Sequence, residues 1–380
     1  MAAEGGGRLD ILLLAGSNAG LRDGWAAQFM ELAQDHRVKN RFLGAVGSLF
    51  GLLRLLHLDR DLSGQPDLII FEYALNDAIM LGDCGLSAAM LRDTLDEVAQ
   101  YCAERQIRLL FLALQPRDAR AGFFSSSPRV LRSYSRVAKA RAMRPCLTLN
   151  EILGGRPDAG CYQDAYHLTQ PVSRKVAERL LSLVGEEEIP VPLAAPRRPC
   201  AFSYVGAEAA AALGPVSTEA HESKVFSGRF LKIERSGSSR WPGRGRLAGL
   251  MLRSSGRAGI YVVGNAAKAY RKCSASLMQQ TVANLILLHY VSHRLHVDDD
   301  LVIAMPGQPS AVFALENDGS MQEAAPNASF FEQCLEINGV MLWRPAPLWA
   351  RLQAAAALWA ARLRLRRSGA RRAPVESCAQ

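Results

Sequence analysis

No two cysteines of this chain form a CxxC pair. The eight are scattered at Cys84, Cys102, Cys146, Cys161, Cys200, Cys273, Cys334 and Cys378. That spacing argues against a structural zinc site, and in so long a chain the residues read as reduced thiols or core fillers. Long apolar runs are missing too: the first, near the N-terminus, is too short to span a bilayer. The start, Met-Ala-Ala-Glu-Gly-Gly-Gly, has no basic segment of a secretory signal, so a cytoplasmic location is expected. A broad positive field is also lacking. Net charge is +9, but seven arginines and a single acid, Glu376, lie between Arg351 and the end, so that tail carries +6 and the first 350 residues +3. The near-neutral body excludes a nucleic-acid-sized basic surface. His289, His293 and His296 would converge on a metal only if their stretch were helical. It reads as well as a strand, which would scatter them. No metal and no cofactor is expected.

What the chain does have is apolar material for two cores. At 380 residues with 49% hydrophobic content, it exceeds the usual single domain of ~100–200 residues. The organising stretch is Leu9-Asp10-Ile11-Leu12-Leu13-Leu14-Ala15-Gly16-Ser17-Asn18. An apolar run ending in small residues predicts a buried parallel strand. Ligands of open α/β sheets sit beyond the carboxyl ends of such strands, so Ser17 stands where a nucleophile would be useful. A serine at such a corner can equally serve as a helix cap.

Helical spacing of Leu21, Trp25, Phe29 and Leu32 predicts a helix to Ala33, followed by a short strand from Val38 to Leu43 and a buried helix from Leu49 to Leu58. Leu68 to Glu72 reads as the third strand, running into Tyr73-Ala74-Leu75-Asn76-Asp77. Ser87 to Arg105 is an amphipathic helix, Ile107 to Leu114 a fourth strand, Leu131 to Met143 a helix and Cys146 to Leu149 a short fifth strand. A loop carries Asp164 and His167, and Pro171 opens a last helix. Five strands alternating with helices predict a parallel sheet of flavodoxin-like order 2-1-3-4-5.

Four prolines between Ile189 and Cys200 suggest a stiff linker. Beyond it come short β-rich runs, from Val225, Arg246, Gly259, Asn284, Leu301, Ala311 and Cys334, many separated by Gly, Ser and Asp clusters. They predict an antiparallel sandwich or barrel. Pro347 to Arg367 is rich in Ala, Leu and Arg and reads as a helix, suited to an anionic membrane surface or to packing on the second domain. The expected division is 1–187, a linker 188–200, a β-rich domain 201–346 and a helical tail 347–380.

The strand ends collect a constellation on one edge of the sheet: Ser17 after strand one, Gly44 after strand two, Asn76 after strand three, Asp164 and His167 after strand five. Acyl transfer needs such a set. His167 can take the proton of Ser17, and Asp164 can hold the His167 tautomer. The N–H groups of Ser17 and Gly44 with the Asn76 amide can meet an oxyanion. Gly47 competes with Gly44 for that role.

On these residues the chain resembles the SGNH (GDSL-type) hydrolase superfamily over roughly residues 8–185. Asp164-x-x-His167 followed by Leu168-Thr169 matches the DxxH block. Pro66 to Glu72 leading into Asn76-Asp77 matches the block with the oxyanion Asn, while Ser17 and Gly44 match the nucleophile and glycine blocks. Ala15-Gly16-Ser17 departs from Gly-Asp-Ser, and Ala74-Leu75-Asn76-Asp77 from Gly-x-Asn-Asp. The resemblance implies a flavodoxin-like α/β/α esterase or acyltransferase with a Ser17, His167, Asp164 triad. Asp23-Gly24-Trp25 after the corner is similar to bacterial members associated with polysaccharide biosynthesis. The expected substrate is an acylated, above all acetylated, carbohydrate or polysaccharide. A lipid or lysophospholipid esterase and a non-catalytic carbohydrate-binding or scaffold protein are the alternatives. The second domain is expected to widen a small ester pocket into a groove.

Overall fold

The computed structural model describes residues 7–58, 64–83, 85–119, 122–185, 189–196, 200–214, 216–223, 226–277, 285–291, 295–313, 315–317, 323–326 and 328–370. His293, Val225, Asn284, Ser292, Cys84, Cys378 and parts of the expected linker and tail lie outside them.

The first half is a parallel sheet sandwiched by helices. In chain order it comprises β1 (Asp10–Ala15), α1 (Trp25–Leu32), β2 (Arg37–Asn40), α2 (Ser48–Leu53), β3 (Leu68–Glu72), α3 (Ala74–Asp83), α4 (Ala88–Glu104), β4 (Arg108–Ala113), α5 (Ser127–Ala140), β5 (Leu147–Thr148), α6 (Leu149–Leu153) and α7 (Gln170–Gly185). The strand order is β2-β1-β3-β4-β5, all parallel, as the alternating pattern predicts. The central strands are apolar because both faces are covered. Leu12, Leu14, Ile69, Phe71, Leu109 and Phe111 share a core with α2, α4 and α5. Ile11, Leu13, Ile70 and Leu110 face α1 and α7.

Local chemistry shifts several boundaries. Residues Ser17–Ala19 form a 3₁₀ turn and Gly24 caps α1, so that helix starts at Trp25 rather than Leu21. Ser87 caps α4, its Oγ accepting from the Met90 N–H at 3.1 Å. Asn76 lies in the first turn of α3.

The second half is β-rich. Its elements are β6 (Phe202–Gly206), α8 (Ala207–Ala211), β7 (Thr218–Glu222), β8 (Ser227–Ile233), β9 (Ser238–Trp241), β10 (Arg244–Ser254), β11 (Ile260–Gly264), β12 (Ala269–Cys273), β13 (Leu285–Tyr290), β14 (His296–Asp298), β15 (Leu301–Ala304), α9 (Ser310–Phe313), β16 (Glu316–Asn317) and β17 (Leu335–Trp343). One sheet runs β13-β10-β17-β8-β7, with β14 beside β10 and β6 beside β17. The other runs β16-β12-β11-β15-β9. The pairing is antiparallel apart from β12 with β16. The run from Ala311 contains helix α9, not a strand: it is too short for periodicity to decide. His289 lies buried on β13 and His296 exposed on β14, so the two do not converge.

The two halves share a core. Phe202, Phe226, Phe230, Met251, Ile286, Leu288, Tyr290, Met341 and Trp343 join the cluster that contains Leu49, Phe50, Met90 and Leu95. The segment between them is docked rather than free. Arg141 Nη1 donates to the Leu193 carbonyl at 3.0 Å, and the Ala195 N–H donates to Gln100 Oε1 at 2.9 Å. Helix α10 (Leu348–Ala370) returns to the first half, against α5. Trp343 Nε1 and Arg351 Nη2 both donate to Asp93 Oδ2, at 3.0 and 2.8 Å, steering the chain toward α4 and α5.

Candidate active site

The register Ala15↔Glu72 ends β1 and β3 side by side, so Gly16-Ser17 and Tyr73–Asn76 leave the sheet at the same edge. Ser17 turns into its 3₁₀ segment there, half-buried. The loop from Tyr162 to Leu168 returns to that edge, pinned as a bridge between those two residues. His167 Nε2 lies 3.0 Å from Ser17 Oγ, and His167 Nδ1 lies 2.7 Å from Asp164 Oδ2. Asp164 Oδ1 also accepts from the N–H groups of Tyr166 and His167, each at 2.8 Å. Partial burial would raise the Asp164 carboxyl, but these amides and the His167 ring outweigh it and hold it below the usual carboxylate range. Asp164 is thus an anion, oriented by both oxygens, against the ring that faces Ser17.

Asn18, which nothing in the sequence reading singled out, fastens this loop. Its Oδ1 accepts from the Leu168 N–H and its Nδ2 donates to the Tyr166 carbonyl, both at 3.1 Å. The two bonds bracket His167 from the residue next to Ser17. The Tyr166 ring also meets His167 edge-on, centroids 4.4 Å apart. Adjacency to Ser17 was the one clue available to Asn18, and it carries no partner information.

Asn76 is 4% exposed. A Cβ built on Gly16 would stand 2.3 Å from Asn76 Oδ1, so only glycine lets this amide reach the β1 corner. The two candidate glycines have different surroundings. A Cβ on Gly44 would lie 3.5 Å from Ser17 Cβ, whereas one on Gly47 would lie 2.6 Å from Asp77 Oδ1 and 3.1 Å from Tyr290 Oη. Gly44 therefore faces Ser17, and Gly47 faces a buried carboxylate. Asp77 organises that spot: Oδ1 accepts from the Ser48 N–H at 2.8 Å and Oδ2 from the Tyr134 hydroxyl at 2.7 Å. Burial pushes Asp77 up to about 6.

Between Gly44 and Gly47, Ala45 has φ of 59° and clusters with Leu285 and Leu287 of β13. The second half of the chain thus packs on the loop that borders Ser17. Glu72 lies beneath the corner, 1% exposed. The Gly16 N–H donates to its carbonyl at 3.0 Å and, more weakly, to Oε2 at 3.4 Å. Burial raises its carboxyl to about 8, helped by the nearby Asp77 charge, so it is protonated at neutral pH. Trp25 is fully buried in the core under α1, and packing accounts for it. Among the described residues no group of three His, Cys, Asp or Glu could hold a metal.

A serine, a histidine and a carboxylate are thus hydrogen-bonded in series at the carboxyl edge of a flavodoxin-like 2-1-3-4-5 sheet that carries an added β-rich half. No family model and no curated protein matches the chain. Solved structures do. A two-domain esterase (CEX) active on acetylated mannans superposes with a TM-score of 0.54 at 13% identity, over 89% of this chain and 92% of that one. The same esterase co-crystallised with mannopentaose gives 0.56 at 15% identity, over 90% and 92%. An acetyl xylan esterase, AlAXEase, covers 46% of this chain and 99% of its own, with a TM-score of 0.37 at 17% identity. The two-domain matches establish that the fold is shared across both halves.

Proposed function

We propose that the protein is a serine ester hydrolase or acyltransferase acting on acetylated carbohydrate. The observation that carries the reading is the unbroken chain Asp164–His167–Ser17, with contacts of 2.7 and 3.0 Å. Ser17 Oγ attacks the ester carbonyl while His167 Nε2 takes its proton, and Asp164 stabilises the imidazolium through Nδ1–H. The N–H groups of Ser17 and Gly44 and the Asn76 amide receive the oxyanion. His167 then returns the proton to the leaving sugar hydroxyl, and water or an acceptor alcohol releases the acyl group. Gly44 rather than Gly47 takes the oxyanion role in this reading, because Gly47 is engaged with Asp77. The substrate class is supported by the two-domain layout shared with an esterase active on acetylated mannans.

The test is labelling with a fluorophosphonate read by mass spectrometry, followed by turnover on acetylated oligosaccharides and on short- and long-chain nitrophenyl esters. The adduct is expected on Ser17, and Ser17→Ala should fall to background. An adduct on another serine overturns the site. Preference for long-chain esters favours a lipid esterase, and no adduct or turnover favours a non-catalytic carbohydrate-binding protein.

A further inference from the structure

Eight large hydrophobic side chains are exposed among the described residues, and four of them, Leu348, Trp349, Leu352 and Trp359, lie on α10 at 61–73% exposure. The other four are dispersed over the molecule. At ~100° per residue, Leu348, Leu352, Trp359 and the half-buried Leu363 fall in one stripe about 60° wide, with Trp349 at its flank. The residues that dock the helix lie about a quarter-turn round from the stripe: Leu358 is 7% exposed and Arg351 reaches Asp93. The stripe therefore faces outward on a helix already held along an adjacent side.

The neighbouring surface is cationic. Helix α5, against which α10 packs, exposes Arg129, Arg132, Arg136 and Lys139 and contains no acid. None of these four forms an ion pair among the described residues. Lys139 and Arg362 of α10 line one cleft of about 490 Å³, and Arg364 is exposed one turn further along the helix axis from Ala360. Beyond it the sequence adds Arg366, Arg367, Arg371 and Arg372 against the lone Glu376. No helix among the described residues is long and apolar enough to cross a membrane.

We propose that α10 and the exposed face of α5 form a docking surface for an anionic lipid bilayer. Tryptophan and leucine sink into the interface between headgroups and acyl chains, while arginine and lysine meet the lipid phosphates. A soluble polyanion would satisfy the cations but leave Leu348, Leu352 and both tryptophans in water. A second copy of the chain would bring two faces of the same sign together. The bilayer satisfies both halves of the surface at once. This surface is independent of the reading of Ser17.

The experiment is co-sedimentation of the full chain with vesicles of phosphatidylglycerol and phosphatidylcholine, or of phosphatidylcholine alone, at low and high salt. Trp25, Trp241 and Trp343 are buried, so a blue shift of tryptophan emission on binding reports Trp349 and Trp359. We expect binding to the anionic vesicles with that shift, weakened by salt and absent on phosphatidylcholine. The double variant Trp349→Gln, Trp359→Gln should weaken it at least ~10-fold, as should Arg132→Gln with Arg136→Gln, each with unchanged circular dichroism and melting. Absence of binding at low salt overturns the proposal, as does binding untouched by the tryptophan substitutions. Dimerisation in free solution that those substitutions abolish, without vesicle binding, would assign the stripe to a second copy instead.

Discussion

Two loops flank Ser17, and they are held by different means. The His167 loop is secured within the first half of the chain, by the two hydrogen bonds of Asn18 and the two amides that grip Asp164. The Gly44 loop is secured from the second half, by Leu285 and Leu287 pressing on Ala45. Below it, Asp77 holds the start of α2. The proposed base is thus positioned by directional polar contacts, and the proposed oxyanion donor by apolar packing from another domain. Hydrogen bonds fix a rotamer and a tautomer, which proton transfer requires. Packing fixes where a backbone amide stands, which suffices for a donor. The β-rich half is thus part of the architecture around Ser17.

The largest effect is expected from removing the second half. A chain shortened to residues 1–185 would expose the shared core around Leu49, Phe50, Met90 and Leu95. We expect it to show no cooperative thermal transition by circular dichroism. A cooperative melt with retained turnover on a small activated ester would mean that the first half holds its own loops. The next largest effect concerns the proposed base. His167→Ala should lower turnover by about 10⁴-fold or more and Asp164→Asn by less, with the double variant little worse than His167→Ala alone. Additive losses in steady-state kinetics would separate the two residues.

Smaller effects set the two loops against each other. Leu287→Ala should cost about 2–5 kcal/mol of stability by urea denaturation and lower kcat with KM nearly unchanged, Leu287→Ile restoring most of both. Asn18→Ala should cost ~1–3 kcal/mol and change the solvent deuterium isotope effect on kcat, since it loosens the proposed proton acceptor His167 rather than the oxyanion donors. If both substitutions produce the same kinetic signature, the division of labour between the loops fails. The smallest effect lies beneath both. Glu72 is raised by burial from the ordinary 4.5 to about 8, so the folded state keeps a proton that the unfolded state has released. Stability contributed by this group is full below pH 4.5 and is lost as pH rises toward 8, at ~1.4 kcal/mol per pH unit. Asp77 adds a similar fall that is complete near 6. Between pH 6 and 8 the Glu72 fall runs against a smaller gain from His289 and His221, both held below the ordinary 6.5 by burial, so the comparison is made between wild type and a Glu72 variant. The stability advantage of the wild type over Glu72→Gln should shrink by about 2 kcal/mol across that range. A constant difference would show that Glu72 is not the group responsible.

Much of the first half was legible because its strands are buried on both faces. Apolar runs such as Ile11 to Ala15 and Leu68 to Phe71 leave a parallel sheet as their natural reading, and a parallel sheet brings its strand ends to one edge. Ser17, Asn76, Asp164 and His167 could be gathered from their positions after strands alone. The second half was less legible. Strands β6, β7, β9, β12, β14 and β16 went unread, because short, half-exposed strands leave too few residues for a period of two to register. The choice between Gly44 and Gly47 was equally closed to a one-dimensional reading, since both suit a tight loop.

By itself the sequence determined what is local or periodic: the run of buried strands, the corner that presents Ser17, the spacing of Asp164 and His167, and the cationic end of the chain. The tertiary structure alone decided what depends on juxtaposition. It placed Asn18 across the His167 loop, seated Asn76 against Gly16, turned Gly44 rather than Gly47 toward Ser17, and docked α10 on α5. It also made one core of two halves. The physical reason is range. Periodicity and turn chemistry act over a few residues and leave their mark in the order of the chain, whereas close packing and buried hydrogen bonds join residues as far apart as Ala45 and Leu287 and leave none.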